Sequence, residues 1–265
     1  MKYSFMSFSS EELDLDQTIL LAKKYGYGGI EPRVDCKHKH GIEFDSTKKF
    51  RGQCKKKSED SGIKICCIAT SCMFSDPAKH KKMVEDANKA IDLAGDVGAP
   101  CIRVFGGLIP EGVTRETAMD LVINSLKEVS EHAKQRNVAV CMETHDHWCD
   151  PKHVAEVLKR VNHPNIAANW DIMHPVRTKN ATMEEAFEAV KPFIKHVHFH
   201  DGVTDNEDKL TMVDIGKGQI DHKMAVKLLK SINYSGYLSG EWIKWEAADI
   251  HLPREIKIMK EYEKA

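Results

Sequence analysis

No apolar run in these 265 residues approaches membrane-spanning length, and Met1 to Ser10 is too short and too polar to read as a signal peptide. A cytoplasmic protein with no membrane partner is therefore expected. Charge of one sign is also missing: 39 Lys plus Arg face 40 Asp plus Glu, for a formal net charge of −1. That balance argues against general affinity for nucleic acid or membrane surfaces. None of the eight cysteines forms a C-x-x-C pair, and several sit inside apolar runs such as Ile65-Cys66-Cys67-Ile68 and Val140-Cys141-Met142. They read as buried free thiols of a reducing compartment. The chain also shows no linker, low-complexity segment or second-domain boundary.

What is present is ordinary in amount and regular in order. Hydrophobic residues make up 42% and charged residues 30%, and a chain of this length buries enough surface to need no disulfides. A short apolar run, a polar or glycine turn and a longer amphipathic stretch recur eight times. The runs are Lys2–Phe8, Gly28–Val34, Ile63–Thr70, Cys101–Phe105, Val138–Thr144, Ile166–Ile172, Ile194–His200 and Tyr237–Trp242. Helices are expected near residues 11–25 (capped by Ser9 or Ser10), 46–61, 77–97, 115–136, 151–161, 183–190, 222–232 and 253–262. Because a helix follows every strand, the strands are parallel, and eight such units close more readily than they form an open sheet with two edges. The expected fold is α/β: a single-domain (β/α)8 TIM barrel over residues 1–265. The long charged segment Asp201–Asp221 follows strand seven, where barrel enzymes place active-site loops.

Barrel active sites form where the strands end, so ionisable residues there are the ones to collect. Strand five ends Met142-Glu143-Thr144-His145, strand six Trp170-Asp171-Ile172-Met173-His174, strand seven His196-Val197-His198-Phe199-His200, and strand eight Gly240-Glu241-Trp242. Singly, each acid reads as solvated or as a helix cap. Together, four consecutive strands deliver acids and imidazoles at one level. Side chains alternate along a strand, so His196, His198 and His200 share a face. Three carboxylates meeting in a partly dry mouth repel by several kcal/mol unless a cation neutralises them. Mixed oxygen and nitrogen ligands suit Mn²⁺, Mg²⁺, Co²⁺ or Zn²⁺.

This run of motifs resembles the xylose isomerase-like barrels, the superfamily of sugar and sugar-phosphate isomerases and epimerases. Gly26-Tyr27-Gly28-Gly29-Ile30-Glu31 and Gly216-Lys217-Gly218-Gln219-Ile220-Asp221 extend the likeness over nearly the whole chain. The resemblance implies a divalent metal held by Glu143, Asp171, His198 and Glu241, with His196 in support. It implies a carbohydrate substrate whose carbonyl and adjacent hydroxyl the metal chelates, lowering the cost of an enediolate. Glu143 and Glu241 are then the catalytic acid–base pair. His174 matches a substrate-contacting histidine of the family, and His145 shares a face with Glu143. Glu31, Arg33 and Arg103 complete the expected substrate contacts. A buried Arg needs an anion, which is either a substrate carboxylate or phosphate or a protein acid such as Glu31. Trp242 and Phe105 read as core packing before sugar stacking, and the Lys55–Lys57 and Lys79–Lys82 stretches as solvated helix faces.

Two departures narrow the reaction. The two-metal sugar isomerases carry Lys where this chain has His145, which counts against a hydride shift through a second metal. Ketose 3-epimerases carry Arg after the strand-seven ligand, whereas residues 201–221 contain only Lys209 and Lys217. A metal-dependent dehydratase of a keto-inositol-like substrate remains open. A metal-free binding module and a homo-oligomer also remain open. An apurinic-site nuclease is disfavoured, because strands three and four end without histidines and no Asp-x-His follows His200.

Overall fold

A computed structural model describes residues 1–178, 181–205 and 209–265. Nine parallel strands make one sheet: β1 (Lys2–Met6), β2 (Gly29–Glu31), β3 (Lys64–Ile65), β4 (Ile68–Met73), β5 (Cys101–Phe105), β6 (Ala139–Glu143), β7 (Ile166–Asp171), β8 (Ile194–Phe199) and β11 (Tyr237–Gly240). The remaining strands, β9 (Asp201–Thr204) and β10 (Leu210–Val213), form an antiparallel ribbon. The helices are α1 (Leu15–Tyr25), α2 (Lys48–Ser61), α3 (His80–Val97), α4 (Arg115–Gln135), α5 (Pro151–Val161), α6 (His174–Arg177), α7 (Met183–Val190), α8 (His222–Ser231) and α9 (Ala248–Lys264). No helix among the described residues is long and apolar enough to cross a membrane.

The sheet runs β3-β2-β1-β11-β8-β7-β6-β5-β4, so the third expected strand is broken into β3 and β4 at Cys66-Cys67. Pro32 falls opposite the break and has no N–H to give to a ladder. The seam is still closed, by Cys66 N–H to Ile30 O (2.9 Å), Ala69 N–H to Pro32 O (3.0 Å) and Val34 N–H to Ala69 O (3.0 Å). The eight-fold barrel is therefore present, with one strand in two pieces.

Three further expectations are corrected. The cap of α1 is Asp14, which accepts from Gln17 N while the Gln17 side chain accepts from Asp14 N; Ser9 and Ser10 belong to a 3-10 turn instead. Two donors satisfied reciprocally outweigh one serine hydroxyl. Helix α9 starts at Ala248 and carries Pro253 inside it. Its first turn is anchored by Ala247 O, which accepts from Ile250 and His251, and by the His251 Nε2 contact to Ser9 Oγ (3.0 Å). The segment after β8 is a strand pair rather than a plain loop, folded back by one carboxylate. Asp201, buried, accepts from the backbone N–H groups of Gly202, Gly216, Gly218 and Ile220 at 2.8–3.3 Å.

Alternation along the strands sorts the residues. Val104, Met142, Ala168, Trp170, Val197 and Phe199 pack into the large buried cluster beneath the helices. The intervening residues fill the barrel. At the floor a separate group of small side chains, Cys66, Cys67, Cys101, Cys141 and Ala167, packs together. Above it, toward the strands' C-terminal ends, the filling turns polar.

Candidate metal centre and its surroundings

The last strand residues deliver the polar layer. Register pairs Glu143 with Asn169, Asp171 with His198, and His198 with Ser239, one step before Gly240-Glu241. One ligand atom from each of Glu143, Asp171, His198 and Glu241 lies within 4.8 Å of every other. All four residues are buried. The strands thus bring together the four residues expected to share a cation.

His198 stands at the centre. Its Nδ1–H donates to Glu143 Oε1 (2.6 Å) and lies 3.4 Å from Glu241 Oε2, while its Nε2–H donates to Glu31 Oε1 (3.1 Å). Burial opposes charge on this ring, but the acids Glu31 and Glu143 prevail and hold it well above the usual histidine range. Glu31 also accepts from His196 Nε2–H (2.8 Å). Both Glu31 oxygens are therefore taken by imidazoles, which places this residue behind His198 rather than at the mouth. Burial works against its charge, yet the two histidines hold it well below the carboxylate range.

Asp171 is fixed from two sides. Oδ1 accepts from Met173 N and His174 N, both at 2.8 Å, at the start of α6. Oδ2 accepts from His200 Nε2–H (2.8 Å). His174, also buried, accepts from Arg177 Nε–H at Nδ1 (3.0 Å). That bond assigns the remaining proton to Nε2, and burial pushes the ring down to about 3, so it is neutral. The neutral ring is a hydrogen-bond donor at Nε2. His145 meets His174 edge-on, with ring centroids 4.0 Å apart. Its Nδ1 is 2.8 Å from Asp146 Oδ1, out of line for a good hydrogen bond. Burial resists its charge, but Asp146, then Glu143 and Glu241, raise it to about 9.

The two arginines differ. Arg103 is buried, with Nε 3.3 Å from Glu143 Oε2 and Nη2 4.0 Å from Glu241 Oε1, and Nη1–H donates to Thr70 O (2.7 Å). The acid it pairs with is thus Glu143, and not Glu31. Phe105 lies under its guanidinium at 4.0 Å and beside His145 at 5.1 Å. Arg33 sits past the end of β2, half-buried. Trp242 turns away into the core, edge-on to Phe199 at 5.5 Å. The lysine-rich stretches are exposed and paired at the surface, within a helix as in Lys56–Asp60 and between helices as in Lys57–Asp16.

The donor set suits a cation on grounds internal to the structure. Glu143 Oε2 and Glu241 Oε2 are buried acceptors with no hydrogen bond, beside Arg103 Nε (3.3 Å) and His198 Nδ1 (3.4 Å), and the Asn169 side-chain amide lies 3.1 Å from that same Nδ1. Buried acceptors left without donors are costly, and acids gathered around an imidazole are what a divalent ion satisfies. Asn169 and His200 were not among the expected site residues. Both were legible by alternation, two positions before Asp171 and two after His198. Asp146 gave no such signal, because it lies beyond the strand.

Comparison with known proteins places the fold. A family model described as "Xylose isomerase-like TIM barrel" matches residues 19–262. A 3-dehydroshikimate dehydratase of Bacillus anthracis is 23% identical over 98% of this chain and 96% of its own. An L-ribulose 3-epimerase structure superposes with a TM-score of 0.81 at 18% identity, covering 100% of this chain and 95% of that one. The IOLI protein, solved with a zinc atom, superposes at 0.79 and 20% identity over 99% and 96% of the two chains.

Proposed function

The chain belongs to the xylose isomerase-like TIM barrel family, and from that premise we propose that it is a divalent-metal-dependent isomerase or epimerase of a small sugar, sugar phosphate or related hydroxy-ketone. The observation that most supports this reading is the pairing of Glu143 with Glu241. Both are buried, both reach His198 Nδ1 (2.6 and 3.4 Å), and both lie against Arg103. Glu143, Asp171, His198 and Glu241 would hold the ion; Mn²⁺, Mg²⁺, Co²⁺ or Zn²⁺ bound there supplies a Lewis acid for the substrate carbonyl.

The chain's own groups do the rest. One of Glu143 and Glu241 takes the proton from the carbon beside the carbonyl, and the other returns one. Arg103 lies against both acids and, after His198, helps hold the Glu241 carboxyl below the usual carboxylate range. His174 offers its Nε2–H to a substrate oxygen, and His145, protonated beside Asp146, offers a second donor. Glu31 holds His198 in place from behind. Burial of the cluster excludes water from the proton-transfer step.

A second reading is a dehydratase. The relative matched over nearly the full length carries that activity in its name. His145 with Asp146 also gives the site an acid near the metal ligands. There the carboxylate removes the same proton, the bond to a β-hydroxyl breaks, and His145 delivers the proton with which it leaves as water.

The test is deuterium exchange from solvent by metal-loaded protein, read by NMR and mass spectrometry across ketoses, ketose phosphates, keto-inositols and 3-dehydroshikimate. An isomer of equal mass carrying deuterium supports the first reading, and a product lighter by one water moves the assignment to the second. Exchange with no substrate, in a protein that retains no metal, would reject both and leave a binding module.

A further inference from the structure

We propose that the substrate of this site carries a carboxylate and that Arg33 binds it; the proposal refines the isomerase reading and rests on it. Of the arginines around the metal cluster, Arg103 is committed to the protein through Glu143, Glu241 and Thr70 O, and Arg177 gives its Nε–H to His174 Nδ1. Arg33 is held by neutral groups alone. Nη1 donates to the carbonyls of Val34 and Ala69, and Nη2 to Ser71 Oγ (2.5 Å). Its backbone is pinned as well, by Arg33 N–H to Ser7 Oγ (2.8 Å) and by the bridge to Ala69. A side chain fixed at both ends is oriented before any ligand arrives.

The fixing bonds leave donors over. A guanidinium has five N–H groups, and these contacts leave Nε–H and one Nη2–H without a protein acceptor among the described residues. No described carboxylate forms an ion pair with it. Asp35 on its own segment and Glu241 in the cluster act only at longer range, while Arg103 repels it. A half-buried cation beside a second cation is unfavourable unless an anion joins it. One uncommitted positive charge with a planar fork matches one carboxylate. A phosphate dianion brings twice the charge into a cluster that already holds Glu143, Asp171 and Glu241, so the carboxylate is favoured.

The experiment is isothermal titration of Mn²⁺-loaded protein with glycerate, glycerol and glycerol 3-phosphate, after Mn²⁺ affinity has itself been measured. Glycerate is expected to bind at least about tenfold more tightly than glycerol, and Arg33→Gln to weaken glycerate about 10- to 100-fold with Mn²⁺ affinity unchanged. Arg33→Lys keeps the charge but loses the fork, and falls between. Equal binding of glycerate and glycerol overturns the proposal. So does glycerate binding that survives in Arg33→Gln, since the metal alone would then account for it. Tightest binding of glycerol 3-phosphate overturns the carboxylate in favour of phosphate. Should Arg33→Gln not fold, the ligand comparison on the wild type and Arg33→Lys still decides. A protein that binds no Mn²⁺ fails the metal reading, whereas one that binds it without discriminating the ligands fails this inference alone.

Discussion

His198 shows how much one side chain can be asked to do. Its two ring nitrogens face opposite ways, Nδ1 to Glu143 and Nε2 to Glu31. Fixing the far nitrogen fixes which atom is presented to a metal. Glu31→Gln keeps the shape but offers one oxygen where His196 and His198 each need an acceptor. Its amide N–H₂ would meet an imidazole N–H head-on. We expect metal affinity to fall about 10- to 100-fold, measured by competition with a chromogenic chelator; unchanged affinity would remove Glu31 from the support of the site. Glu143→Gln is expected to lose more than about a thousandfold in turnover, since it removes both a ligand and a proton acceptor. Metal content measured on the same sample separates the two losses, and wild-type turnover would take Glu143 out of the mechanism. Most of this layer could be read from the sequence, because period-two alternation places Glu143, Asp171 and the three histidines without knowing the fold. What escaped was the partner of each group. Glu31 and Arg103 could be seen to face inward, but their choice of histidine and of Glu143 depends on distances across the barrel that spacing does not encode.

At the scale of elements, the eight units and their order were legible, since helical and strand periods alternate cleanly. The misses were local competitions: Asp14 over Ser9 or Ser10 as a cap, Pro32 interrupting the third strand, and Asp201 gathering four amides to fold a segment that reads as loop. Contacts between helices were not legible at all. One of them makes a test. Asp96, near the end of α3, pairs with Arg51 from α2 (3.1 Å) and with Arg136 just past α4. Gly95 lets Arg136 approach, since a Cβ there would meet its guanidinium at 2.8 Å. Burial pushes Asp96 up, but the two arginines outweigh it and its carboxyl is lowered overall. A folded-state value below the unfolded one adds stability above the unfolded value near pH 3.9, and that stability is lost as pH falls through the folded value. Asp96→Asn should therefore cost about 1 kcal/mol at neutral pH, the upper end for a partly exposed pair. The difference should shrink toward zero in acid, as pH falls through the lowered folded-state value. Urea melts at both pH values check this, and a deficit that persists in acid would point to packing instead of charge.

The whole molecule places its acids where an ordinary core would place hydrocarbon. Glu31, Glu143, Asp171 and Glu241 are all buried near the barrel axis, balanced by Arg103 and by protons on His198 and His200. A divalent ion bound at His198 Nδ1 needs that nitrogen without its proton, the one now donated to Glu143. Binding must then release a proton, and affinity must rise with pH until the ring gives it up unaided. Folding is linked to the same event, because the four ligands meet only when β6, β7, β8 and the end of β11 are in register. A metal at about 100 times its Kd adds roughly 2.7 kcal/mol to stability, which for a chain of this size is a shift of several degrees in Tm. The shift on adding Mn²⁺, relative to a chelator, should be larger at pH 8.5 than at pH 6. Metal-independent losses at high pH cancel in that difference, since both samples share them. Thermal melts at the two pH values, with Mn²⁺ and with EDTA, give the four numbers needed. Equal shifts at both pH values would mean that the ion does not compete with the His198 proton, and a different set of ligands would have to be found.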